Sequence, residues 1–142
     1  MPTALTTSRK PIWHLAELKN NGTTTALSVI DRLWWNYCTF FLRIGATDTT
    51  FNAKVQESAD GSTGWADIAG AAIAPLSATD DGAELAVEVD LSAAARKRYI
   101  RLLGTAGNGA TGVEVQCLAV LSDARNVEAA IAQADLAEVV ES

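Results

Sequence analysis

Residues 51–56, Phe51-Asn52-Ala53-Lys54-Val55-Gln56, alternate apolar and polar side chains without a break. A period of two suits an extended strand, because successive side chains leave a strand on opposite faces, whereas a helix repeats after about 3.6 residues. Phe51, Ala53 and Val55 therefore face a core, and Asn52, Lys54, Gln56 and Ser58 face out. The same alternation returns three times. Cys38, Phe40, Leu42 and Ile44 oppose Tyr37, Thr39, Phe41 and Arg43; Leu85, Val87 and Val89 oppose Ala86, Glu88 and Asp90; Val113, Val115 and Cys117 oppose Glu114 and Gln116.

Turn chemistry separates these runs. Residues 11–18 and 23–29 read as two further strands around Asn20-Asn21-Gly22, and residues 98–103 as another that ends at Gly104. Gly107, Asn108, Gly109 and Gly112 then part the last two strands as a hairpin loop would. Ala59-Asp60-Gly61-Ser62 reads as a hairpin turn, with Gly61 free to take positive φ, Asp60 able to bond its own backbone and Trp65 returning over the edge. Ser92-Ala93-Ala94-Ala95 suggests one helical turn capped by Asp90 or Ser92. Many short alternating strands predict an all-β, antiparallel β-sandwich, jelly-roll-like. The expected division is an N-terminal arm (1–9), a sandwich domain (10–122) and a C-terminal acidic helix or arm (123–142). That last segment is alanine-rich, free of glycine, and holds five acids (Asp123, Glu128, Asp135, Glu138, Glu141) against Arg125. Asn126 or Asp123 is its candidate cap, and Val127, Ala130, Ile131 and Ala134 form a narrow apolar stripe that needs a surface to lie on.

At 142 residues the chain is long enough for one domain with a real core. Its formal charge of −6 opposes a phosphate backbone, so no direct nucleic-acid partner is expected. No window approaches the roughly 18 apolar residues of a membrane span, and Met1 to Thr7 lack the charged start and apolar stretch of a signal peptide. Cys38 and Cys117 read as buried thiols, able to bridge only if their strands are neighbours.

Chemistry is scarce. His14 is the only histidine, and with two separated cysteines no metal-ligand spacing can be written. Neither a phosphate loop nor a nucleophile elbow is present, and Asp80-Asp81-Gly82 reads as an Asp-Gly turn rather than a calcium loop. The expectation is a protein that is not an enzyme and takes no cofactor or metal. Two clusters remain as interface candidates. Arg32, Trp34 and Trp35 set two indoles beside a cation, for which an interface anchor, a core plug and a sugar platform are all open readings. Arg96 and Arg98 belong to the one basic run, 96–101, which is either a clamp for a neighbour's acidic tail or a charged strand edge. Val127, Ile131 and Leu136 of the tail complete the candidates.

Residues 51–120 resemble a family of small proteins from the head-gene region of tailed bacteriophages and prophages. The matching words are Lys54-Val55-Gln56-Glu57-Ser58-Ala59-Asp60-Gly61-Ser62-Thr63 with Trp65-Ala66-Asp67-Ile68, then Lys97-Arg98-Tyr99-Ile100-Arg101, then the Gly/Thr-rich stretch from Thr105 to Thr111. They cover about half of the chain; Gly64 is an insertion, and the Trp34-Trp35 region and the acidic tail match less well. The resemblance implies a virion structural protein: a capsid decoration (cement) protein that binds the major capsid protein on the outer lattice and stabilises the head. It would act as a homo-oligomer, with a trimer favoured, made in the host cytoplasm and placed on the capsid surface. Discoidin-like modules share the Asp-Gly…Trp turn and the Arg-Tyr-Ile-Arg strand, which supports the sandwich but carries no ligand with it. A carbohydrate-binding virion module and a head–tail connector or tail component are the alternatives.

Overall fold

The computed structural model describes residues 9–19, 24–93 and 95–124. They form eight strands: β1 (Arg9–Lys19), β2 (Thr24–Asp31), β3 (Trp35–Thr47), β4 (Phe51–Ser58), β5 (Ala66–Ala72), β6 (Glu84–Asp90), β7 (Tyr99–Ala106) and β8 (Val113–Ala124). One sheet has the order β1-β8-β3-β6 and the other β2-β7-β4-β5, and every pairing is antiparallel.

The alternation sets the inner faces. β3 turns in Cys38, Phe40, Leu42 and Ile44, β6 Val87 and Val89, and β8 Val113, Val115, Cys117, Ala119 and Leu121. The second sheet answers with Leu27 and Ile30, with Phe51, Ala53 and Val55, and with Ile100, Leu102 and Ala106. These side chains form one core between the sheets, the layered arrangement of a β-sandwich. Each large one contributes about 1.5–3 kcal/mol by leaving water. Cys38 and Cys117 are both buried as free thiols. Their strands are neighbours, but the register sets Cys38 opposite Leu121 and Cys117 opposite Leu42, too far apart along the strands for a bridge.

Strand partners nest. β4 pairs with β5, β3 with β6, β2 with β7 and β1 with β8. Of the consecutive strands only β4 and β5 share a sheet as neighbours; the other connections carry the chain across the sandwich. The glycine-rich stretch after β7 is therefore not a hairpin, since β7 is already flanked by β2 and β4, and β8 by β1 and β3. Nor does β7 end at Gly104. A Cβ there would lie 2.9 Å from Phe51 Cζ, so glycine makes room inside the strand for the phenyl ring of its neighbour.

β5 is a strand that period-two reading passes over. Its sequence is Ala66-Asp67-Ile68-Ala69-Gly70-Ala71-Ala72, and its pairing with β4 slips between Lys54↔Ala72 and Gln56↔Asp67. Residues 68–71 there stand opposite Val55 alone, an enlarged bulge with Gly70 at φ 78° that still buries Ala71. The described residues contain no helix. In place of the helical turn expected after Asp90, the Asp90 carboxylate accepts the Ser92 N–H (2.8 Å) and hydroxyl (2.6 Å), and the Arg96 N–H closes on the Ala93 carbonyl (3.0 Å). The acidic tail beyond Ala124, with Asn126, lies outside the described residues. Asp123, the other candidate cap, sits in β8 at φ 58° and accepts a hydrogen bond from Asn36 Nδ2 (3.0 Å).

Candidate interaction surface

The turn from β2 to β3 places the tryptophan pair. Asp31 Oδ1 accepts the Leu33 N–H (3.1 Å), and the Trp35 N–H bonds the Arg32 carbonyl (3.0 Å). The tight turn puts Trp34 at φ 76°, half-buried against the core, while Trp35 points inward with no exposed surface. Arg32 is only 8% exposed. Its guanidinium donates to the carbonyls of Lys97 (2.9 Å), Leu91 (3.3 Å) and Arg96, and its N–H to that of Arg98 (3.0 Å). One buried cation thus gathers the whole β6–β7 connection.

The basic run is used within the chain. Arg98 grips Asp31 with two bonds (3.0 and 2.8 Å) and lies 5.3 Å from the Tyr99 ring; the Asp31 carboxylate raises its pKa further. Arg96 pairs with Glu57 at 3.5 Å, and Glu57, 7% exposed, also accepts the Lys97 N–H (3.0 Å). Since β7 lies inside its sheet, the run is no strand edge. Val127, Ile131 and Leu136 fall outside the described residues.

The loop 59–65 holds itself together. Ser58, expected to face out, is instead fully buried because the loop folds over it, and its hydroxyl accepts the Asp60 and Gly61 N–H groups (3.3 and 3.1 Å). Asp60 accepts the Ser62 and Thr63 N–H groups (2.8 Å each) and the Thr63 hydroxyl (2.6 Å). Those bonds, the Thr63 hydroxyl foremost, hold its carboxyl far below the usual range. Gly61 has the left-handed φ (79°) that the turn chemistry predicts. Trp65 then lies beneath the Arg101 guanidinium, 4.2 Å from the ring centroid.

Each outer face carries one exposed large apolar side chain, Val29 (53%) opposite Arg101 on the second sheet and Phe41 on the first, but in different surroundings. On the second sheet, Arg101 donates twice to Gln56 Oε1 (2.9 and 2.6 Å), Gln56 Nε2 donates to Asp67 (2.7 Å), and Lys54 Nζ bonds the other Asp67 oxygen (3.0 Å). On the first sheet Phe41 is 46% exposed and stands between Ala86 of β6 and Leu118 of β8 in one cross-strand row, with half-buried Thr39 and Val120 in the next. Further along the same face, Arg43 and Glu84 form a loose ion pair at 3.9 Å.

Among the described residues no group of three or more His, Cys, Asp or Glu side chains could hold a metal ion. Asp80 and Asp81 serve turns, accepting the Ser77 N–H (2.7 Å) and the Thr47 N–H (3.0 Å). Burial pushes the Cys117 thiol up to about 11 and Cys38 higher still, so both stay protonated. No helix of the described residues is long and apolar enough to cross a membrane. Sequence reasoning missed Glu57 and Phe41. The signal for Glu57 was present: counting on by two from Phe51, Ala53 and Val55 lands on it, an inward acid that requires a partner.

No protein-family model matches the chain, and no curated protein matches it. Solved structures do. The chain is similar to the phage PBSX exported protein XepA at a TM-score of 0.57 and 19% identity, over 86% of this chain and 39% of that one. It is also similar to VP2 in the infectious bursal disease virus subviral particle, at a TM-score of 0.50 and 14% identity, over 87% of this chain and 34% of that one. The chain therefore spans well under half the length of either protein. At these identities the likeness is one of fold: a two-sheet antiparallel β-sandwich that also occurs in a phage protein and in a viral particle.

Proposed function

We propose that the chain is a bacteriophage virion structural protein and, within that class, a capsid decoration protein that binds the major capsid protein on the outer lattice as a homo-oligomer. The observation that carries the reading is the outer face of β1-β8-β3-β6, where Phe41 stands 46% exposed between Ala86 and Leu118. An apolar patch within a sheet whose strands are already paired is suited to contact through side chains, and many repeated copies multiply a modest affinity. The matching words at 54–63 and 97–101 and the fold shared with a phage protein support the same class. We read the fold itself as a jelly roll, because its strand partners nest from β4–β5 out to β1–β8. The role needs no catalysis and no cofactor. A sugar platform is less well served, since Trp35 is buried and one face of Trp65 is covered by Arg101.

Mixing the purified protein with undecorated capsids tests the reading. Lattice binding by the wild type, weakened about tenfold or more by Phe41→Ser, is the expected result. Absence of binding, or a copy number of about a dozen or fewer per particle, would favour a connector instead.

A further inference from the structure

We propose that the free edge of β6 docks an extended cationic segment of a partner chain, which joins the first sheet as an added strand. Four strands end the two sheets: β1 and β6 in one, β2 and β5 in the other. Three of them carry a register shift, at His14/Glu17 in β1, at Ala26/Ser28 in β2 and opposite Lys54/Gln56 in β5. Such shifts bend an edge and spoil it as a template for pairing. β6 alone runs unbroken, from Tyr37↔Asp90 to Arg43↔Glu84.

The ladder fixes what that edge presents. Hydrogen bonds from the Leu91 N–H to the Asn36 carbonyl (2.6 Å) and from the Ile44 N–H to the Ala83 carbonyl (2.8 Å) set its phase. Leu85, Val87 and Val89 share that phase and turn their backbone groups to β3, so Glu84, Ala86, Glu88 and Asp90 turn theirs away from it. Among the described residues no strand pairs on that side.

Side chains specify the occupant. Glu84, Glu88 and Asp90 stand exposed on the outer face, Glu84 only loosely paired with Arg43 and Asp90 bonded to Ser92 through one of its two oxygens. A second β6 laid alongside would set carboxylate against carboxylate, which disfavours another copy in this position. Lys or Arg at alternate positions of an incoming strand would complement the row. Its other side chains would turn to a cleft of about 350 Å³ between β6 and β5, where Ile68, Ala71 and Val89 form the apolar part of a lining that Glu88 and Asp90 complete. Arg96 also borders this cleft, but its charge is paired with Glu57. The partner segment is therefore extended, basic on one face and small and aliphatic on the other, a case of strand addition.

The inference rests on the assembly reading only in supposing a protein partner, and its test needs no capsid. A labelled peptide of about ten residues alternating Lys and Val is titrated against the whole protein at low salt, with a Glu-Val peptide beside it. Binding of the Lys-Val peptide alone, with new hydrogen-exchange protection at the Ala86 and Glu88 amides, is expected. Ala86→Pro, which removes an outward N–H and no bond to β3, should weaken it about tenfold or more. Equal binding by Ala86→Pro, protection confined to other strands, or equal binding of the Glu-Val peptide would overturn the proposal. The exchange pattern on the wild type decides alone if the proline variant fails to fold. Peptide binding without capsid binding would sink the capsid reading and leave this one standing.

Discussion

The two ends of the sandwich rest on different anchors, buried charged side chains at one and exposed aspartates at the other, although the β4–β5 loop at the first end is also closed by its own Asp60. At the end bearing the β2–β3, β4–β5 and β6–β7 connections, the buried Arg32 donates to the carbonyls of Leu91, Arg96 and Lys97, and the buried Glu57 answers Arg96 and the Lys97 N–H. At the other end the anchors are exposed aspartates that accept backbone amides. Asp48 takes the Thr111 and Gly112 N–H groups (2.7 and 2.8 Å), and Asp81 takes that of Thr47. A carbonyl buried beneath Arg32 cannot turn to water if its donor leaves, whereas an amide at an exposed aspartate can. The first end should therefore resist solvent and salt but tolerate no substitution, and the second should loosen easily and locally.

Arg32→Met should break the contrast most severely. Three carbonyls lose their donor together, so the unfolding free energy should fall by roughly 3 kcal/mol in urea titration. Amide exchange should rise across 91–98, and a loss no larger than that of Asp48→Asn would abolish the distinction between the ends. Gly61→Ala against Gly82→Ala is a finer comparison, because both residues sit at φ 79°. At Gly82 nothing stands near an added Cβ, so only the left-handed backbone cost applies, about 1 kcal/mol. At Gly61 the Cβ would lie 3.1 Å from the Tyr99 ring, which should add roughly 1 kcal/mol in thermal or urea unfolding.

Acid should give the smallest and most local effect. The amides of Thr111 and Gly112 depress the Asp48 pKa. A depressed carboxylate contributes above its unfolded pKa and stops contributing as pH falls through the folded value, so the window lies below about pH 4. The Thr111 and Gly112 amide resonances should titrate there, and exchange in 107–112 should rise while the Arg32 Nε–H signal stays put. The Ser62 and Thr63 amides should follow through Asp60, whose pKa is lowered in the same direction. An Arg32 signal that moved with those of Thr111 and Gly112 would show that the two ends share one support.

Alternation made the strands legible and, with them, most of the core, because a residue's parity along a strand is set by the chain alone. Partnership was not legible. Nothing local in Gly107-Asn108-Gly109 distinguishes a hairpin from a crossing between sheets; that depends on which flanks of β7 and β8 are already occupied. β5 escaped because Ala and Gly give no contrast between its faces, and Ile68 alone cannot set a period. The Trp34-Trp35 pair stayed ambiguous because one positive φ at Trp34 sends the two indoles into different surroundings. The basic run looked available because its partners, Asp31 and Glu57, lie 67 and about 40 residues away in sequence and meet it only through the crossing strands.

The nesting of the strands also orders events in time. β8 is the last of the described strands to be made, yet it lies inside its sheet, between β1 and β3. Until residues 113–124 leave the ribosome, β1 has no neighbour among the described strands, and the pairing of Arg9 with Ser122 must wait for all the strands between them. Only the β4–β5 hairpin closes locally, so folding should begin there and proceed outward, on the millisecond-to-second scale of folds dominated by distant contacts. A chain free of the ribosome only as far as Gly112 would have all four strands of the second sheet beside a first sheet that lacks its inner strand β8, leaving that flank of Phe40 and Leu42 uncovered.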